Sequence, residues 1–172
     1  MAFVSHTQHR ADAPASVRCA VLTVSDTRTP DTDSGGSLLV ALLEQHGHQV
    51  VGRGLVKDDP SAVQRWVQSQ RARDEVDVIV TTGGTGIAPR DTTYDAIMKM
   101  LDTPIPGVGE LFRMLSYQEI GPAAMLSRAC AGVSQCRVVI VLPGSEPAVR
   151  LAMEKLVLPE LGHMVREARR RT

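Results

Sequence analysis

Apolar positions along the chain follow two different periods. "VRCAVLTV" (17–24), "VDVIVTT" (76–82) and "RVVIVLP" (137–143) are nearly unbroken apolar runs rich in Val and Ile. Runs of this length without alternation predict strands covered on both faces. Between them the spacing changes to that of helices, at "SLLVALLEQHGHQ" (37–49), "SAVQRWVQSQRAR" (61–73), "TTYDAIMKML" (92–101), "GVGELFRMLSYQEI" (107–120) and "EPAVRLAMEKLVLPELGHMVRE" (146–167). In the fourth of these, Val108, Leu111, Phe112 and Leu115 recur at helical spacing, which predicts a core face. Gly47 ends the first helix, Pro60 sits just inside the start of the second, and Pro159 is expected to bend the last. "VVGRGLV" (50–56) reads as a weaker strand loosened by Gly52 and Gly54, and "LSRACAGV" (126–133) as a short edge strand. Strands alternating with helices predict an α/β fold: a three-layer, open, mostly parallel sheet with helices on both faces.

With 172 residues the chain has enough length for one domain with a sizeable core, placed here at 17–172. The first sixteen residues, "MAFVSHTQHRADAPAS", lack the apolar stretch of a secretory signal and read as a flexible tail. Lys+Arg and Asp+Glu both number 19, so no net field draws the protein to nucleic acid or to an anionic membrane. No apolar run reaches the length of a membrane span. The basic cluster "REARRR" (166–171) suits the C-terminal end of a helix. Cys19, Cys130 and Cys136 are odd in number and have no metal-type spacing, which predicts reduced thiols in the cytoplasm. His6, His9, His46, His48 and His163 lie outside every Gly-rich turn and are expected at the surface.

The chemistry concentrates where strands end. "SDTRTPDTDSGG" (25–36), "TTGGTGIAPRD" (81–91) and "LPGSEP" (142–147) each follow a strand and combine Gly with hydroxyls. Glycines let backbone N–H groups approach an anion, and helix N-termini add partial positive charge. No GK pair completes a Walker loop, and Pro89 stands where a dinucleotide fingerprint needs its last Gly. Carboxylates accompany these turns: Asp26, Asp58, Asp59 and Asp91. Each also has an ordinary local role: Asp91 as a helix N-cap, Asp58 and Asp59 as an exposed acidic turn in which Asp59 caps the next helix, and Asp26 in an Asx turn. Carboxylates beside phosphate repel it unless a cation lies between, and Mg²⁺ accepts one or two carboxylates together with phosphate oxygens.

The stretches "VLTVSDTR", "VKDD", "VTTGGTGIAPRDTTYDAI", "PGVGELFRMLSYQEIGPAAMLSR" and "LPGSEPAVR" resemble the MoaB/MogA family of molybdenum cofactor biosynthesis proteins, over residues 17–165. "FRMLSYQEIG" and "VKDD" are more similar to the MoaB branch. The resemblance implies Mg-ATP-dependent transfer of AMP to the terminal phosphate of molybdopterin, with release of pyrophosphate. It implies Asp58 and Asp91 as the functional carboxylates and holders of Mg²⁺. Around nucleotide or pterin phosphate it implies Ser25, Asp26, Thr82, Gly83, Gly84, Thr85, Gly86, Pro143, Gly144 and Ser145. Glu110, Ser127 and Arg128 follow as weaker pterin-side candidates; an ion pair from Glu110 to Arg113 is the alternative for the first. A homotrimer or homohexamer is implied, with other proteins of the pathway as partners. Two other functions stand beside this one: a pterin-binding accessory protein with little catalysis, and a flavodoxin-like nucleotide-binding module.

Overall fold

The computed structural model describes residues 12–170. Its centre is one six-stranded sheet: β1 (Arg18–Val24), β2 (Gln49–Val56), β3 (Val78–Thr82), β4 (Thr103–Pro104), β5 (Cys130–Ser134) and β6 (Arg137–Leu142), in the order β2-β1-β3-β6-β5-β4. The first four strands of that order are parallel; β5 and β4 are antiparallel to their neighbours. The sheet is open and mostly parallel, as the alternation of elements predicts. Of the edge strand expected at 126–133 only the second half forms, as β5, because Leu126 ends a 3-10 turn (Gly121–Leu126), and the two-residue β4 lies outside β5 and takes the edge. β5 reaches β6 through a tight turn in which Gln135 and Cys136 both adopt positive φ, 47° and 60°.

Among the described residues six α-helices cover the sheet: α1 (Ser34–Gln45), α2 (Pro60–Arg71), α3 (Thr93–Met98), α4 (Pro106–Ile120), α5 (Glu146–Ala152) and α6 (Leu158–Arg169). Alternate side chains of each central strand point to opposite faces. Val21, Val80 and Ile140 pack with Leu39, Phe112, Met153 and Leu161 of α1, α4 and the C-terminal helices. Leu22, Ile79 and Val139 pack with Val63 and Val67 of α2 and Ile97 of α3. Both faces of β1, β3 and β6 are therefore core, which is why these runs carry no polar alternation.

Four further expectations change in the structure. The first helix starts at Ser34 instead of residue 37, because buried Asp33 caps it by accepting from Gly36 N at 2.9 Å. Leu111 does not join Phe112 in the core: it is 47% exposed, in line with Met114 and Tyr117. A π-helical turn, Met153–Val157, joins α5 to α6 just before Pro159. A proline has no N–H for the carbonyl four residues back and its ring crowds that carbonyl, and the wider turn accommodates this. His48 is buried, because Val17 N donates to its Nδ1 at 3.3 Å where β1 and β2 begin. His6 and His9 lie outside the described residues, as do residues 1–11 of the expected tail and Arg171 of the basic cluster. Residues 12–16 run beside α6, where Pro14 O packs on Gly162 and Asp12 pairs with Arg166 at 3.8 Å.

Candidate functional site

From β1 the chain passes to β2 on one side and to β3 on the other, so the carboxyl ends of β1 and β3 form the switch point of the sheet, where open α/β sheets bind ligands. Two cavities share Ser25 there. One, of about 180 Å³, is lined by Ser25, Asp26, Asp58, Gly84, Arg90 and Asp91. The other, of about 70 Å³, is lined by Thr23, Arg28, Asp33, Gly35, Thr82, Gly83 and Gly144 besides Ser25. A larger cavity, about 390 Å³, lies elsewhere, between Thr103, Ile105 and Val133 on one side and α6 on the other. It is mainly apolar and holds none of the Gly-rich turns.

The glycines of the 83–86 loop set its shape. Gly83 has φ +99°, and a Cβ there would stand 2.1 Å from Val24 O, so the loop rests directly on the end of β1. Gly84 has φ +63°, and a Cβ would meet Thr93 Oγ1 at 2.1 Å and Asp58 Oδ2 at 2.5 Å. A Cβ on Gly86 would stand 2.4 Å from Asp91 Oδ2. Two of the three glycines thus admit carboxylates to the loop. Gly83 N donates to Leu142 O at 3.0 Å, whereas the N–H groups of Gly84, Thr85 and Gly86 have no acceptor among the described residues. Consecutive free N–H groups around a positive-φ residue form an anion-binding concavity.

Each carboxylate at this mouth is held by one oxygen. Asp58 Oδ1 accepts from Thr92 Oγ1 at 2.8 Å, Thr92 N at 3.1 Å and Thr93 Oγ1 at 3.3 Å. Asp91 Oδ2 accepts from Ala88 N at 2.9 Å, and Asp91 N donates back to Ala88 O at 2.9 Å. Asp91 is therefore not the N-cap of α3. Thr92 holds that position without a side-chain cap bond, while Asp58 takes the N–H of Thr92 from across the cleft. Asp26 Oδ1 accepts from Asp58 N at 3.1 Å, tying the first turn to the second, and no Asx turn forms. The local turn belongs to Ser25, whose Oγ accepts from Thr27 N and Arg28 N. Asp59 caps α2 as expected, accepting from Ala62 N at 2.9 Å.

Asp58 Oδ2 and Asp91 Oδ1 have no hydrogen-bond partner among the described residues, and neither carboxylate forms an ion pair there. No three acidic, His or Cys side chains among those residues converge closely enough to hold a metal by themselves. Two carboxylates with free oxygens beside a loop with three unpaired N–H groups have the donor chemistry for an ion that takes its remaining ligands from phosphate and water, as Mg²⁺ does.

The other expected residues are spread more widely. Thr82 Oγ1 donates to Pro143 O at 2.9 Å, bracing the loop against the turn after β6; Ser145 is exposed at the start of α5. Glu110 lines a separate cavity of about 230 Å³ with Tyr94, Ile105 and Arg113. The Glu110–Arg113 ion pair does not form; Arg113 reaches Ser127 O at 3.4 Å instead. Ser127 Oγ is buried without a partner. Arg128 reaches the 85–91 loop.

Sequence reasoning missed Asp33, which also accepts from Thr23 Oγ1 at 2.8 Å and pairs with Arg53 at 3.1 Å. An Asp before Ser-Gly-Gly-Ser and a periodic apolar run was the available N-cap signal. Arg28 and Arg90, the cations of the two cavities, carried no such signal.

The family described as a probable molybdopterin binding domain matches residues 20–163. The chain is 53% identical over 161 residues to molybdenum cofactor biosynthesis protein B of Halalkalibacterium halodurans, covering 93% of this chain and 95% of that protein. A crystal structure of a molybdenum cofactor biosynthesis protein B superposes with a TM-score of 0.89 at 52% identity, covering 93% of this chain and all of the other. The tungsten cofactor synthesizing protein MoaB from Pyrococcus furiosus superposes with a TM-score of 0.81 at 37% identity, covering 92% of this chain and 100% of that one.

Proposed function

This chain belongs to the molybdopterin-binding family of molybdenum cofactor biosynthesis proteins, in the protein B group, and we propose that it joins AMP from Mg-ATP to molybdopterin. The observation that carries this reading is the pairing of opposites at one strand end. Three unpaired N–H groups, at Gly84, Thr85 and Gly86, lie beside two carboxylates that each keep one oxygen free. A site for an anion alone gains nothing from Asp58 and Asp91. A site for a metal-bound triphosphate uses both.

Asp58 and Asp91 would hold Mg²⁺, which would supply charge neutralisation at the phosphates of ATP. In the reaction a terminal phosphate oxygen of molybdopterin attacks the α-phosphorus of ATP. The bond from that phosphorus to the oxygen bridging to the β-phosphate breaks, and pyrophosphate leaves. No covalent nucleophile on the protein is required, so positioning and charge stabilisation do the work. The Gly84–Gly86 N–H groups suit the phosphate oxygens, and Arg28 and Arg90 add positive charge at the two ends of the cleft. Ser25, Asp26, Thr82, Gly83 and Gly144 shape its walls. Pro143 and Ser145 belong to the turn that braces the loop, and Glu110, in the separate cavity beside α4, and the unpartnered Ser127 Oγ are the candidates for the pterin side.

Leu111, Met114, Tyr117 and Ile120 of α4 and Met125 and Leu126 of the turn after it are 47–72% exposed residue by residue. Exposed large apolar side chains concentrated in one segment mark a contact surface, and we assign them to a homotrimer or homohexamer. Light scattering checks this; a monomer at micromolar concentration contradicts it.

The catalytic assignment is tested with Asp58→Asn and Asp91→Asn. Each is expected to lower pyrophosphate release by two orders of magnitude or more while the protein stays folded. Turnover at the wild-type rate in both variants would remove the metal-bridging role. Absence of Mg-ATP binding by calorimetry at millimolar nucleotide would instead point to a pterin-binding accessory protein.

A further inference from the structure

The peptide group between Asp91 and Thr92 is gripped at both ends by side chains from distant parts of the chain. Its N–H donates to Asp58 Oδ1 at 3.1 Å, and its carbonyl accepts from Arg128 Nη2 at 2.6 Å. Arg128 stands just before β5, 37 residues beyond Asp91. The same guanidinium donates from Nε to Thr85 O at 3.4 Å and from Nη1 to Asp95 Oδ2 at 2.8 Å, and it lies 5.0 Å from the ring centroid of Tyr94. Three of its five N–H groups and one of its faces are thus occupied by the loop and the helix that follows.

The carbonyls of Thr85 and Asp91 mark the two ends of the segment that carries Ile87, Ala88, Pro89 and Arg90, all exposed. Little packing holds that segment. Within it, the reciprocal bonds between Ala88 and Asp91 form a local turn but do not fix where the turn sits. Its position is set from outside, by Arg128 on one carbonyl at each end and by Asp58 on the Thr92 N–H. A planar guanidinium suits this, because its donors hold fixed directions and can bridge two carbonyls; a lysine ammonium is a single point on a flexible stem.

The geometry points to Arg128 as a positioning residue: it closes the 85–91 loop and fixes the plane of the Asp91–Thr92 peptide, and through that plane the Asp91 carboxylate. The inference rests on the reading of Asp91 as a functional carboxylate, and it gives Arg128 a different part from that of a pterin ligand. Arg128 acts through Asp91 and does not touch the reacting atoms. A displacement of about 1 Å at a catalytic group costs on the order of 100-fold in rate.

Arg128→Lys and Arg128→Ala separate the two parts. Amide hydrogen exchange of wild type and variants reads the loop directly, whether or not the protein turns over. Exchange at the hydrogen-bonded amides of Ala88, Asp91 and Thr92 is expected to quicken about tenfold or more in both variants, with the rates of β1, β3 and β6 unchanged; unchanged exchange at these three amides would overturn the proposal. In steady-state adenylylation, kcat is expected to fall about 100-fold with the KM for molybdopterin within threefold of wild type. A raised molybdopterin KM with kcat preserved would show Arg128 to be a ligand for the pterin and overturn the positioning role. Asp95→Ala, which removes one partner of Arg128 but neither loop carbonyl, is expected to keep both kcat and loop exchange near wild type. An inactive wild-type protein would refute the proposed function, and the exchange data would still decide the clamp.

Discussion

Gly86→Ala puts one methyl group where Asp91 Oδ2 now lies. The new Cβ would stand 2.4 Å from that oxygen and 3.0 Å from the carboxyl carbon, whereas ordinary contact begins near 3.4 Å. The carboxylate must therefore retreat by about 1 Å, a displacement that in an active site costs on the order of 100-fold in rate. Retreat also breaks the bond from Ala88 N to Asp91 Oδ2, now 2.9 Å. A hydrogen bond to a charged group contributes about 1.5–3 kcal/mol when desolvated, but this one is exposed, so about 1 kcal/mol is the expected loss of stability. For a domain of this size that corresponds to about 2–4 °C in Tm. Pyrophosphate release with saturating Mg-ATP and molybdopterin is the assay for rate, and thermal unfolding the assay for stability. The expected variant is folded, about 100-fold slower and only slightly less stable. A variant within threefold of the wild-type rate would show that the position of Asp91 does not matter, and the metal-bridging role would fall with it.

Asp33→Ala removes the N-cap of α1, leaves Thr23 Oγ1 without its acceptor and deprives Arg53 of its carboxylate, with Ser37 Oγ as its remaining partner. About 2–4 kcal/mol of destabilisation is expected from urea unfolding, since a cap contributes about 1 and a charged hydrogen bond about 1.5–3 kcal/mol. Burial, and then the neighbouring His46, holds His48 below its ordinary pKa of 6.5. The fold thus favours the neutral ring, whose Nδ1 accepts from Val17 N. Stability from this group is present above pH 6.5 and is lost as pH falls below that value, because the unfolded chain takes up the proton first. Denaturant unfolding at pH 7.5 and at 5.5 is expected to show the decline, and His48→Gln to flatten it. Burial raises the thiols of Cys19 and Cys130 to about 12, whereas Cys136 is exposed in its turn. One thiol is expected to react rapidly with a disulfide reagent in the native protein and three after unfolding; two fast native thiols would contradict the burial of the first two.

The sheet was legible because burial on both faces leaves its mark in sequence: Val21, Leu22, Val80 and Ile140 need no polar alternation. The start of α1 was not, because Gly35 and Gly36 break the apolar period and read as loop. They are helical because Asp33 caps them, and position 36 is glycine because a Cβ there would stand 2.2 Å from Thr23 Oγ1. Leu111 shares its period with Phe112, and periodicity alone does not separate a face turned to the sheet from a face turned to another surface. The site was legible as a set of turns, since Gly and Asp at strand ends are local signals. Its wiring was not. Asp91 has the spacing of an N-cap, but Asp58 arrives from 34 residues away to take the N–H of Thr92. Arg128, likewise, reaches the loop only through the position of β5 in the sheet.

The central assignment is the transfer of AMP to molybdopterin, and mass spectrometry of the product tests it most directly. The purified protein is incubated with molybdopterin, ATP and Mg²⁺, and the pterin fraction is weighed. The expected result is a pterin heavier by one adenylyl group, with one pyrophosphate released for each, and no product when Mg²⁺ is chelated. Unchanged molybdopterin after prolonged incubation, with ATP intact and the protein folded, would contradict it.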